Sequence, residues 1–188
     1  IPGDSDTLNQ GDRIYLIASK DHMDELGALF AQPTGKAHSA VIIGGGRIGF
    51  SIAQKLEEMN VQVKIIEQDE RQCWAISQKL KAVVVQGEGS DYELLKEERV
   101  ESADAFIAAT DHAELNILSG LLGKRLGIKH VLTVVDKPEY IPVAEAVGID
   151  IVISPLQLSA GKIARQARLA EVASGSRLAS EKMESLII

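Results

Sequence analysis

Short apolar runs alternate with stripes at helical spacing through most of the chain. The runs Ala40–Ile43, Val61–Ile66, Ala82–Val85, Ala105–Ala109, Val131–Val135 and Ile151–Ile153 are rich in β-branched residues and read as strands. Between the first two, Ile48, Ile52, Leu56 and Met59 recur on one face of a helix. Ser90 with Glu93, and Asp111 with Glu114, have capping-box spacing at the starts of later helices. A helix from about Leu115 to Leu126 is expected to stop at Gly127, and Leu156–Val172 supplies a last one. Strand and helix alternating in this way build parallel crossover units, because each helix returns the chain to the same end of the sheet. Residues 38–172 therefore read as an α/β domain of Rossmann type, a parallel six-stranded sheet with helices on both faces.

The flanks have a different character. Asn9-Gln10-Gly11-Asp12 reads as a turn into a strand from Arg13 to Ala18, and Asp21 to Phe30 has helical spacing. One strand and one helix cannot bury a core alone, so residues 1–31 read as the end of a domain whose start lies upstream. Pro33 and Gly35 punctuate a linker over residues 32–37. Residues 173–188 carry no clear periodicity and read as a tail or a further linker. A first residue of Ile also fits a piece of a longer chain.

Composition narrows the function classes. The chain has 188 residues, 45% hydrophobic and 25% charged, a balance that fits a folded globular domain. A net charge of −7 opposes a phosphate backbone, so nucleic acid is not an expected partner. The single cysteine, Cys73, forms no intrachain disulfide, and the four histidines lack metal-ligand spacing. No metal site is expected, and no apolar run approaches the roughly 20 residues of a membrane-spanning helix.

The chemistry concentrates at Gly44-Gly45-Gly46-Arg47-Ile48-Gly49. A G-x-G-x-x-G turn alone is a weak signal, but this one follows the run Ala40–Ile43 and opens an amphipathic helix. That context aims unpaired amides and the helix dipole at a pyrophosphate. Gly44 would permit the tight turn, Gly46 the approach of phosphate, and Gly49 the close packing of helix on strand. The second strand ends at Glu67, eighteen residues after Gly49, where an acid bonds a ribose hydroxyl. A carboxylate there disfavours the 2′-phosphate of NADP and favours NAD or NADH, while ATP and ADP carry the same ribose and stay open as alternatives. Arg47 is placed either to reach phosphate or to stand in solvent, and Ile48 and Gln68 complete the turn and strand-end set. Glu88 and Gly89 follow the third strand and Thr110 the fourth, where Thr110 and Asp111 equally suit plain helix capping.

Other signals are weaker. Tyr92 and Lys96 have the Tyr-x-x-x-Lys spacing of hydride-transfer enzymes but fall on the helix after the third strand, away from the expected nicotinamide end. Cys73, beside Trp74, is expected to pack on the second helix against the sheet without catalytic work. A nicotinamide-dependent oxidoreductase domain lacking its substrate domain remains the alternative reading.

Four stretches resemble the cytosolic regulatory subunit of Trk potassium-uptake systems, the TrkA-type RCK (KTN) domain. They are Val41–Gly49, Lys64-Ile65-Ile66-Glu67-Gln68-Asp69, Gln86–Asp91, and Phe106–Thr110 running to Glu114–Ile117; Asp150–Pro155 adds to them. The leading Gly11–Leu16 is similar to the close of a small α+β RCK-C domain, which would make residues 38–172 the second RCK-N half of a tandem subunit. The resemblance implies a non-enzymatic sensor, cytoplasmic and peripheral to the membrane. It would pair with other RCK domains as a homo-oligomer and act on a Trk-type membrane potassium channel or transport subunit. It also implies that Gly44, Gly46, Arg47 and Gly49 cradle phosphate, Glu67 holds ribose, Glu88 and Gly89 flank adenine, and Thr110 borders the phosphates. Two departures stand out: the family often has Asp where Glu88 stands, and Arg where Val134 stands.

Overall fold

In the computed structural model, which describes residue 7 and residues 15–19, 37–173 and 183–187, the expected parallel sheet is present. The elements are β1 (Tyr15–Ser19), β2 (Ser39–Ile43), α1 (Arg47–Glu58), β3 (Gln62–Glu67), α2 (Glu70–Ser77), β4 (Val83–Gln86), α3 (Tyr92–Glu97), β5 (Ala105–Ala108), α4 (Ala113–Arg125), β6 (His130–Val134), α5 (Ile141–Ala146), β7 (Ile151–Ile153), α6 (Pro155–Ala173) and β8 (Met183–Ile187). Strands β2 to β7 form one sheet in the order β4-β3-β2-β5-β6-β7, all parallel. The order reverses between β2 and β5, and an open sheet leaves a crevice at such a switch point beyond the carboxyl ends of its strands.

Centrality in the sheet follows apolarity. All four residues of Ala40–Ile43 are buried, because β2 has neighbours on both edges and helices on both faces. On the edge strands β4 and β7, Val83 and Ile151 are exposed. One face of the sheet carries a core of Val41, Ile43, Phe106, Val131, Leu95 and Val100, and the other a core of Ile42, Val63, Ile65, Ile76, Ile107 and Val134. Each such side chain contributes on the order of 1.5–3 kcal/mol when fully buried, so the two faces together hold the strand ends in register.

Several local expectations need correction. On α1 the buried positions are Gly49 and Ala53, whereas Ile48 is 39% and Met59 70% exposed; small residues let this helix lie close to the sheet. Asp91, not Ser90, caps α3, accepting from the Glu93 and Leu94 amides at 3.0 and 3.2 Å. Ser90 instead donates its hydroxyl to Glu88 at 2.7 Å. The N-cap of α4 is His112 rather than Asp111, because the Thr110 hydroxyl accepts from the His112 amide at 3.2 Å and draws the loop one residue further. The expected stop after α4 is present, with Gly127 at φ +88°.

The chain divides into two compact units, Lys36–Arg168 and Ile1–Gly35 with Leu169–Ile188. In the second of these, β1 pairs antiparallel with β8, Tyr15 opposite Ile187 and Ser19 opposite Met183. The terminal stretch, read from sequence as a tail or linker, thus supplies a strand. The expected linker and the helix over residues 21–30 lie outside the described residues.

Candidate nucleotide site

The carboxyl ends of β2, β3 and β5 finish level, with Ile43 opposite both Ile66 and Ala108. The turn leaving β2 rises above that rim and is held from below, since the Gly44 amide donates to the Ile66 carbonyl at 2.8 Å. Gly44 has φ +95°, and a side chain there would run into the Thr110 backbone. At Gly49 an added Cβ would meet the Gly44 carbonyl, so close helix packing needs glycine. Gly46 differs: its φ of −63° suits any residue, and a Cβ built on it has open space for 4 Å around. No side chain caps the start of α1, whose first intrahelical bond there is from the Phe50 amide to the Gly46 carbonyl. The amides ahead of it meet the cleft in the geometry that helix starts use for anions.

Glu67, at the end of β3, is turned into this turn. One carboxylate oxygen accepts from the Gly45 amide at 2.6 Å and the other from the Asp69 amide at 2.9 Å. Gln72, on the first turn of α2, donates to the Gly45 carbonyl at 2.9 Å, so the Gly45 residue is held on both of its polar groups. Asp69 caps α2 by accepting from the Gln72 amide at 2.8 Å, which positions that glutamine. On the opposite wall, the buried Asn116 of α4 accepts from the Thr110 amide and hydroxyl at 2.8 and 2.7 Å. Its own amide donates to the Thr110 and Val134 carbonyls at 3.0 and 2.8 Å, tying together the tips of β5 and β6.

Between these walls lies a cavity of about 770 Å³. Eight of the ten residues picked from sequence line it: Gly44, Gly46, Arg47, Ile48, Glu67, Gln68, Gly89 and Thr110. Gly49 packs behind the turn instead. Glu88 is exposed, is bonded to Ser90 and does not line the cavity. Sequence reasoning passed over Arg71, Gln72 and Asn116. The signal for the first two was available, since only two residues separate Glu67 from the start of α2, and so its first turn must abut the same crevice.

The remaining candidates fall elsewhere. The Tyr92 ring sits 5.6 Å from both the Lys96 ammonium and the Arg125 guanidinium, an arrangement that packs α3 against α4. Cys73 is half-buried, with its sulfur 3.3 Å from the Glu67 carbonyl; burial pushes its thiol pKa up, and the nearby Glu67 and Asp69 carboxylates push it further. Such a thiol is a poor nucleophile. Among the described residues, no group of side chains has the makings of a metal site and no helix is long and apolar enough to cross a membrane.

Comparison with known proteins agrees with this geometry. The family model described as TrkA-N domain matches residues 40–155. A Trk system potassium uptake protein trkA homolog 1 from Methanosarcina mazei is 32% identical over 165 residues, covering 87% of this chain and 41% of that protein. The TrkA of Halomonas elongata is 33% identical over 190 residues, covering 99% of this chain and 41% of its own. The chain therefore spans about two fifths of the length of these relatives. Among solved structures, the TrkA-N domain of the Escherichia coli inner membrane protein ybaL superposes with a TM-score of 0.63 at 14% identity, over 69% of this chain and 96% of that one. The GsuK channel bound to NAD gives 0.57 at 23% identity, over 66% and 22%. GsuK bound to ADP gives 0.56 at 22%, over 66% and 32%. TrkA-type domains are regulatory rather than catalytic, which removes the support for the oxidoreductase alternative. The glycine turn, the level strand ends and the match over most of the parallel sheet identify the chain as a member of the TrkA-N family of RCK-type domains.

Proposed function

We propose that this chain is the nucleotide-sensing part of a regulatory subunit that works on the cytoplasmic face of a membrane and gates a Trk-type potassium-uptake channel. Its ligand is NAD or NADH, with ATP or ADP as the alternative, and it acts as a homo-oligomer through paired RCK domains. Residues 38–172 form the RCK-N domain of that subunit, joined by residues 32–37 to the end of an RCK-C domain. The observation that carries the reading is the uncapped start of α1 beside a carboxylate fixed in the same turn. A phosphate meets free amides there, and the ribose meets Glu67, which lines the same cavity. The volume of about 770 Å³ suits a nucleotide, and two structures of one fold neighbour, GsuK, carry NAD and ADP by name. Binding regulates only through a difference in affinity between two arrangements of the assembly, typically about 1–3 kcal/mol.

Gly46→Val is the direct test. Its backbone accepts a β-branched residue and its Cβ direction is open, so the side chain fills cleft space without displacing protein atoms. Titration calorimetry should show binding of at least one of NAD, NADH, ATP and ADP to the parent chain. The valine variant should retain the unfolding midpoint and lose at least 100-fold in affinity, about 2.7 kcal/mol. Undiminished binding by a folded variant would place the ligand elsewhere, and no heat with any of the four nucleotides would end the sensor reading.

A further inference from the structure

The first turn of α2 carries a capping pattern whose second half is diverted. Asp69 and Gln72 have capping-box spacing, in which the third residue of a helix reaches back to the amide of the capping residue. Asp69 does its part and accepts from the Gln72 amide at 2.8 Å, but its own amide donates to the Glu67 carboxylate at 2.9 Å. The Gln72 side chain is thereby released from its own helix. It crosses to the glycine turn and donates to the Gly45 carbonyl at 2.9 Å. Capping does not explain that bond, which joins α2 to a turn 27 residues earlier in the chain.

The peptide it holds is the freest of the turn. Rotating the Gly45–Gly46 peptide changes ψ of Gly45 and φ of Gly46, and with glycine on both sides no Cβ opposes either rotation. The amides of Gly44 and Gly45 are already engaged, with the Ile66 carbonyl and the Glu67 carboxylate at 2.8 and 2.6 Å. At this end of α1 the first intrahelical bond is that of the Phe50 amide, so the donors left to an anion start at Gly46. Among the described residues no peptide is cis, and a trans peptide sets its N–H antiparallel to its C=O. With the Gly45 carbonyl tied to α2, the Gly46 amide points the other way.

We propose that Gln72 is the positioning residue of the phosphate subsite, holding the Gly45–Gly46 peptide so that its amide, and not its carbonyl, is offered to the anion. The inference rests on the nucleotide reading above and adds the side chain that preorganises the turn. Without the bond the peptide also samples the flipped orientation, in which a carbonyl oxygen faces phosphate oxygens of like charge. Apparent affinity then falls by the fraction of molecules held the wrong way. A ligand without phosphate is indifferent to the flip.

Gln72→Met keeps the length and helix-forming character of the side chain and removes the donor. The 188-residue chain and the variant are titrated with ADP and with adenosine, which shares the base and ribose and lacks the phosphates; ligand-detected NMR reads the weaker of the two. ADP affinity should fall roughly tenfold, the scale of one lost hydrogen bond, while adenosine affinity and the unfolding midpoint hold. Equal losses for ADP and adenosine would make Gln72 a wall of the whole cleft, and an unchanged ADP affinity would show the peptide fixed without it. Either result overturns the positioning role while nucleotide binding stands. A parent chain that binds neither ligand overturns both readings.

Discussion

At Gly49 a single methyl group would meet the carbonyl oxygen of Gly44, a backbone atom with no rotamer to change. Relief requires α1 to move off β2, which loosens the packing of Ala53, buried beneath it. Gly49→Ala is therefore expected to lower unfolding free energy by roughly 1–3 kcal/mol, the usual cost of forcing atoms into a packed site. Urea denaturation measures it, and a variant as stable as the parent would show that the helix has slack. Gly46, three residues earlier, has open space where a side chain would stand, so one motif contains a glycine needed for folding and a glycine proposed for binding. Glu67 combines both roles: its oxygens hold the Gly45 and Asp69 amides while its side chain lines the cavity. The acid that shapes the turn is thus also the one proposed to hold a ribose.

Between elements, the joint that matters most to the cleft is Asn116. Its side chain, 1% exposed, carries bonds to Thr110 on β5's exit and to Val134 at the end of β6, so α4 fixes the spacing of two strand tips. Asn116→Ala would strand the Val134 carbonyl and the Thr110 amide inside the protein. A loss of about 2–4 kcal/mol is expected, from unsatisfied polar groups together with the small cavity left behind. Chemical denaturation gives the loss, and faster hydrogen exchange at Thr110 and His112 localises it; unchanged exchange there would detach Asn116 from the cleft. These elements also mark what sequence can and cannot convey. Each of the six strands is found within about one residue of its expected bounds, because β-branched runs between turn residues leave little choice of register. Caps were less legible: Ser90 and Asp91 are adjacent and both are capping types, and only the Ser90 bond to Glu88 decides between them. The same bond engages Glu88, which does not line the cavity. Asn116 was invisible as a site residue for a different reason, since nothing in a helix sequence states which strand tips its buried amide will bridge.

Across the whole folded unit, carboxylates outnumber cations, and many of those in bonds pin chain ends that the sheet alone would leave to fray. Asp104 accepts from the His38 and Ser39 amides at 2.7 and 3.0 Å, and these bonds hold its pKa below the ordinary value. Glu114 is lowered likewise, chiefly by the Tyr140 hydroxyl. Asp150 joins the start of β6 to the end of α4, accepting from the Val131 amide at 2.8 Å and the Lys124 ammonium at 2.7 Å. Burial pushes the Asp150 carboxyl up, but the Lys124 and Val131 bonds outweigh it and leave the pKa lowered from 3.8. A depressed folded pKa means that the unfolded chain takes up the proton first as pH falls. The stabilisation is therefore complete above the ordinary aspartate value of about 4 and disappears as pH drops through the lower folded value. Asp150→Asn keeps an acceptor for Val131 and loses the charge opposite Lys124. At pH 7 it should cost about 0.5–1 kcal/mol, the scale of a partly exposed ion pair. The gap from the parent should close as pH falls below about 4 and through the lowered folded value. Because Asp104 and Glu114 titrate identically in both proteins, the difference between two urea series isolates Asp150. A gap that stays constant throughout acid titration of the folded protein would assign the loss to packing instead of charge.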